Sequence, residues 1–392
     1  MEAMERARAH LGPPGPDAWL IHDFRGTNPV LAEVLGDLPH ATRRVFLRIA
    51  AAGPPRLLVH AIEASHFHGL GPEVATYADR GSLVAGLRQL LEGAAVVAME
   101  YSPQGQLPTM SWVDGGTLEL VRGLGVEVVS SADLFQAAVT IWTPAALASH
   151  RTAAAHVTQV KDAAFEFLRQ RLTARLPCTE FEVQQVMVAE LAARGLESDH
   201  PPIVGVNAHS GDPHYAPRPT GSSQIVPGDW VLIDLWGRQP GRAHVYADIT
   251  WVACAAPAAP PEKQLVFDIV RGARDLVVRQ VRERWDQGRP VQGWELDAAA
   301  RQHIVAAGYG PHILHRTGHS LGPGPAVHGL GVNLDDLETR DTRQVLPGCG
   351  FTVEPGIYLP DFGVRLEIDV YVDPDSGPEV TTPIQERVVH LM

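Results

Sequence analysis

The sequence predicts two domains, a smaller α/β domain over residues 1–145 and an α+β domain over residues 146–392. Three observations lead there. At 392 residues the chain is longer than one hydrophobic core usually grows. In the first part, strand-like runs (AWLIHDF, PRLLVHAIE, AVVAMEY, VEVVSS) alternate with helix-like stretches such as RGSLVAGLRQLLEG, and this rhythm stops near residue 145. Beyond that point the strand-like runs cluster early and late, with helices between them.

The second domain opens with a long helical stretch from Pro144 to about Leu176. Next, Thr179 and Glu182 make a capping box ahead of an apolar periodicity that Gly195 closes. Strand-like DWVLIDLWG and HVYADITWVAC follow, then two helices in PEKQLVFDIVRGARDLVVRQVRERW and WELDAAARQHIVAAGYG, then late strands in GFTVEPGIYL and GVRLEIDVYV. No solenoid-period repeat is present.

Hydrophobic residues at 45% and charged residues at 20% describe an ordinary globular chain. A net charge of -13 disfavours nucleic acid or an anionic membrane as partner, because phosphate binding needs clustered cations. Cys178, Cys254 and Cys349 form no CxxC pattern, which argues against a disulfide framework and fits reduced cytoplasm. The charged, Pro-rich start is unlike a secretory signal, and no apolar run reaches the roughly 18 residues of a membrane span.

The chemistry is written in misplaced acids. Asp234 inside WVLIDLW and Asp248 inside VYADITW sit where apolar strands would exclude a carboxylate. GRQPGR between them can turn the chain, so a hairpin would bring both to one face. Glu354 in FTVEPGIY and Glu367 in VRLEIDVYV repeat the anomaly. Each acid alone could pair with an Arg or face solvent. Four together would repel one another if buried, and two divalent cations would balance their charge, with a His as neutral ligand. His319 is the candidate, in the Gly- and Pro-rich loop HRTGHSLGPGPAVHG.

These residues resemble the pita-bread metallopeptidase family (M24), which includes prolidase, aminopeptidase P and methionine aminopeptidase. Its pattern is an Asp in a strand, an Asp before Ile-Thr, a His in a GHG-like loop, a Glu before Pro-Gly and a Glu shortly after Val-Arg. Asp234, Asp248, His319, Glu354 and Glu367 match it in order, within a similarity covering about residues 150–392. The resemblance implies two divalent metal ions per subunit, Mn with Co or Zn as alternatives, and peptide hydrolysis by a metal-bridging hydroxide. Glu354 would bridge the ions and shuttle a proton. His328 in AVHG would stabilise the oxyanion, His214 in GDPHYAP would donate near the proline imide, and Arg365 would receive the substrate carboxylate. A homodimer is expected on the same ground, with Asp23, Arg25, Arg43 and Arg44 either reaching across or serving as surface charges. A separate first domain favours prolidase or aminopeptidase P, and the dipeptidase is the expectation adopted.

The chain departs from the pattern at Ser320, where Gly is usual, at Trp251, where Arg is common, and at Gly329, where Glu is common. Two rivals stand beside the peptidase. Gly318-His319-Ser320-Leu321-Gly322 satisfies G-x-S-x-G, although Pro323 and Pro325 block the helix a nucleophile elbow needs. A non-catalytic pita-bread binding protein or a creatinase-like metal-free hydrolase would lose ligands that are all present here.

Overall fold

The computed structural model describes residues 2–392. The chain divides into two compact units, residues 1–140 and 141–392. The divide lies ahead of the 145/146 boundary expected from sequence, because Trp142 belongs to an apolar cluster of the second unit and Thr143 caps the helix that begins at Pro144.

The first unit is built on a six-stranded sheet in the order β4-β3-β2-β1-β5-β6. Its strands are β1 Ala18–Phe24, β2 Arg44–Ala50, β3 Arg56–His60, β4 Glu73–Tyr77, β5 Val96–Met99 and β6 Glu127–Ser130. β1 and β2 pair antiparallel, and so do β2 and β3, while the outer pairs are parallel. The sheet is therefore mixed. The carboxylate of Asp23 is buried and accepts the backbone N–H groups of Gly26 and Asn28, both at 2.8 Å. It holds the turn after β1 and is neither a surface charge nor free to reach a partner chain, which corrects the expectation for this residue. Arg25 stacks over Phe24, and Arg43 is exposed.

In the second unit, β7 Ile203–Val206, β8 Trp230–Gly237 and β9 Ala247–Cys254 form antiparallel neighbours, extended by β16 Val389–His390. A second sheet comprises β10 Ser320–Leu321, β11 Gly350–Val353, β14 Ile368–Asp373 and β15 Gly377–Val380. β12 Gly356–Tyr358 and β13 Gly363–Arg365 pair beside it. The mixture of helices and segregated antiparallel strands is the α+β arrangement predicted.

Strand alternation sorts the side chains. Val231, Ile233, Leu235, Ala247, Ile249 and Ala253 share a core with helices Pro144–Thr173 and Glu180–Ala193. Residues of the other parity face the late strands: Trp230, Leu232, Val252 and Cys254 at an apolar end, Asp234, Asp248 and Thr250 at a polar one. In the late sheet, Phe351, Val353, Ile368, Val370 and Val372 enter the core that contains Val266, Phe267 and Val270 of helix Pro261–Asp286. Their neighbours Thr352, Glu354, Glu367 and Asp369 are left for the opposite face. Each fully buried Val, Leu, Ile or Phe contributes about 1.5–3 kcal/mol, so the apolar parity fixes the register and the acids follow from it. The capping box forms: Thr179 accepts the Glu182 N–H, and Glu182 accepts that of Thr179 at 2.8 Å.

Candidate active site

Asp234 pairs with Thr250 across β8 and β9, and Asp248 pairs with Trp236. The two acids are diagonal neighbours on one face, a separation that long side chains bridge. From the late sheet, Thr352 pairs with Asp369 and Val353 with Ile368, which places Glu354 and Glu367 at the ends of that pairing. The Glu367 N–H donates to the Thr250 carbonyl at 3.2 Å, joining the two groups of strands.

His319 arrives from the loop before β10. Its imidazole Nε2 lies 3.6 Å from Asp248 Oδ2 and 3.6 Å from Glu354 Oε1. Nδ1 donates to the Ser320 carbonyl at 3.1 Å, so the proton resides there and the Nε2 lone pair faces the acids. Burial holds the imidazole pKa well below its ordinary value, with His328 and Arg316 acting in the same direction. Gly318 makes this placement possible, because a Cβ there would collide with the backbone oxygen of Thr352. Gly318→Ala is expected to destabilise the protein by about 1–3 kcal/mol through overpacking, read in thermal or urea unfolding. An unchanged melting curve would contradict the close approach.

Asp234, Asp248, His319 and Glu367 are buried, and the Glu354 side chain is only 14% exposed. Burial raises the pKa of Asp248 and of Glu367 well above the carboxylate range, with mutual repulsion adding to it. Burial pushes Glu354 up to about 7, against the pull of Arg365. Two carboxylate oxygens, Asp234 Oδ1 and Asp248 Oδ1, are buried without a hydrogen-bond partner. Ligand atoms of Asp248, His319 and Glu367 lie within 4.8 Å of one another, close enough to hold a metal ion. Unsatisfied, mutually repelling oxygens beside a nitrogen lone pair fit a site for hard divalent cations.

Sequence reasoning passed over Asp369, although it stands two residues after Glu367 in a strand and so on the same face. It is fully buried, accepts the Asp248 N–H at 2.9 Å, and leaves Oδ1 unpartnered. Its Oδ2 lies 3.9 Å from the buried His150.

Arg365 is engaged at each of its three nitrogens. Its guanidinium donates to Asp234 Oδ2, to the Tyr358 hydroxyl at 3.0 Å and, through Nε, to Thr250 Oγ1 at 3.0 Å. This geometry makes it a positioning group for Asp234, and the side chain also lines the cleft. The Tyr358 hydroxyl lies 2.5 Å from His315 Nε2, and burial pushes its pKa up to about 12.

The acids open onto a cleft of about 1080 Å³ lined by residues that include His214, His328 and Arg316. His214 and His328 both face this space, and the His328 ring centroid lies 4.2 Å from that of His319. The Arg316 guanidinium is half-buried and makes no hydrogen bond or ion pair among the described residues. Its charge lowers the pKa of Glu354 and of His328. Ser320 is buried, lies in β10 paired with Phe351, does not line the cleft, and is followed by Leu321 and a loop rather than a helix. That context lacks the strand-to-helix turn of a nucleophile elbow. Trp251, on the opposite face from Asp248 and Thr250, packs under Lys161, whose Nζ is 3.8 Å from the ring centroid, so its departure from the family pattern lies outside the cleft.

A model of metallopeptidase family M24 matches residues 148–374, more than half of the chain. The chain belongs to metallopeptidase family M24. A Mycobacterium tuberculosis relative named "Probable dipeptidase PepE" is 28% identical over 355 residues, covering 88% of this chain and 86% of that protein. The crystal structure of dipeptidase PepE from Mycobacterium ulcerans matches 99% of this chain and 97% of its own at a TM-score of 0.73 and 24% identity. The prolidase from Pyrococcus horikoshii OT3 matches 99% of this chain and 100% of its own at 0.64 and 21% identity. The M24 chain thus has the pita-bread fold of these neighbours and is a peptidase of a metal-dependent family. None of its helices is long and apolar enough to cross a membrane among the described residues.

Proposed function

We propose that this M24 peptidase is an Xaa-Pro dipeptidase that binds two divalent ions through Asp234, Asp248, His319, Glu354 and Glu367. The observation that supports it most is that these five side chains line one cleft, three of them with ligand atoms within 4.8 Å of one another, with buried oxygens of Asp234 and Asp248 left unsatisfied. Charge points the same way. Five buried or nearly buried carboxylates, counting Asp369, against the Arg365 guanidinium leave four negative charges, the number two divalent cations neutralise. Manganese is the ion proposed, since an oxygen-rich set with one imidazole suits it at least as well as zinc or cobalt. Ions held there supply Lewis acidity at the scissile carbonyl and a nucleophile at neutral pH.

The chain's own groups do the rest. Glu354 would take a proton from the attacking water and return it to the leaving nitrogen. His328 donates to the developing oxyanion, and His214 donates near the imide from across the cleft. With all three Arg365 nitrogens already engaged, Arg316 is the cation proposed for the free carboxylate of a two-residue substrate. Catalysis is assigned to the second unit, residues 141–392, with residues 1–140 as an accessory unit in a homodimer. Three buried thiols fit a reducing, cytoplasmic location.

Arg316→Gln is expected to lower kcat/KM for an Xaa-Pro dipeptide by about 10–100-fold, the worth of a charge-assisted hydrogen bond. The same substitution should leave the corresponding dipeptide amide nearly unaffected, measured with manganese-loaded protein. An equal loss on both substrates would remove Arg316 from carboxylate binding. A wild type that favours longer Xaa-Pro peptides would make the chain an aminopeptidase P instead.

A further inference from the structure

We infer that Glu180 is a positioning residue for His214, holding the segment 206–223 that presents this imidazole to the cleft. Glu180 is the first residue of the capped helix, is fully buried, and lies outside the metal-ligand set. Its carboxylate receives four donors. Oε1 accepts the Val206 N–H at 2.8 Å and His209 Nδ1 at 2.8 Å. Oε2 accepts the Tyr215 hydroxyl at 2.6 Å and the Ser223 N–H at 2.7 Å. A carboxylate offers about four lone-pair sites, so this one is saturated, and only an acceptor-only group satisfies four converging donors.

These contacts grip the segment at its start, near its middle and at its end. Val206 closes β7, Ser223 directly precedes Gln224, which bridges to Thr179, and Tyr215 directly follows His214. The backbone of Glu180 also donates to the Ser223 carbonyl at 3.1 Å. Tyr215 stacks on His209 with centroids 4.1 Å apart, so both rings that touch Glu180 also brace each other. His214 itself is exposed, and its backbone N–H donates to Asp212 Oδ1 at 3.0 Å. No side-chain hydrogen bond fixes its imidazole among the described residues. The imidazole inherits its place from the neighbouring tyrosine, and the tyrosine takes its place from the buried carboxylate. Such an arrangement orders the backbone that carries the donor before substrate arrives, which lowers the entropic cost of the transition state.

The inference rests on the peptidase function proposed above, and a double-mutant cycle separates the two. Tyr215→Phe removes one hydrogen bond to Glu180 while keeping the ring and its stacking. In manganese-loaded full-length protein it is expected to lower kcat/KM for an Xaa-Pro dipeptide about 10-fold, as loss of a hydrogen bond to a charged group would. In a His214→Ala background the same change should lower the rate less than about twofold, because the residue it positions is gone. Glu180→Gln, whose amide nitrogen would face two donors, should show the same non-additivity with a larger loss. Equal fold losses with and without His214, or no loss from either substitution, would overturn the positioning role while the peptidase function stands. A wild type that cleaves no Xaa-Pro peptide with manganese would overturn both.

Discussion

Asp248→Asn is expected to lower kcat on an Xaa-Pro dipeptide by about 10³-fold or more, and at the same time to raise the melting temperature of the metal-stripped protein. The two effects have one cause. Asp248 is buried among Glu367, Asp234, Asp369 and Glu354, and its pKa is held well above the ordinary range first by burial and then by these neighbours. A carboxyl whose folded pKa lies above its unfolded value costs stability as pH rises from the unfolded value to the folded one. Asparagine keeps the shape and removes that cost, so the apo variant gains stability at neutral pH. The sign reverses with metal: wild type gains stability on adding manganese, growing with the logarithm of the ratio of ion concentration to dissociation constant, and the variant gains less. A variant that melts below the wild type in chelator, or responds to manganese as strongly, would show that Asp248 is not part of an ion site.

Arg365→Met is expected to destabilise the protein by about 3–5 kcal/mol, the usual consequence of removing one partner of a buried ion pair. The substitution retains much of the side-chain volume but strips Asp234, Tyr358 and Thr250 of their shared donor. Asp234 would then be a buried carboxylate with neither oxygen hydrogen-bonded, since Oδ1 already lacks a partner. Manganese should recover part of the loss, because it supplies charge to the same carboxylate. Urea unfolding with and without the ion reads both quantities. A loss under 1 kcal/mol would place Arg365 outside the network that supports the site.

How much of this was legible in the sequence follows from the physics of each element. Asp234, Asp248, Glu354 and Glu367 stood out because apolar strands exclude unpaired carboxylates, and alternation put them on common faces. The capping box was legible because it is local to four residues. Asp369 obeyed the same alternation as Glu367, yet it escaped notice because no separate motif marks it. β2 and β4 were missed, the latter because three of its five residues are exposed and no continuous apolar run marks it. The engagement of Arg365 could not be read at all, since its partners lie 7, 115 and 131 residues away in the chain. Glu180 was hidden for a related reason: it looks like an ordinary first-turn acid at a helix N-terminus, and only the return of residues 206–223 onto it reveals four donors.

The most direct test of the two-ion site is to strip the protein with a chelator, titrate manganese back, and follow proline release from an Xaa-Pro dipeptide alongside the metal bound per chain. Activity should be absent in chelator, return as binding reaches two ions per chain, and ignore a serine-directed inhibitor. Full activity without metal, or hydrolysis silenced by that inhibitor, would contradict it and turn attention to Ser320.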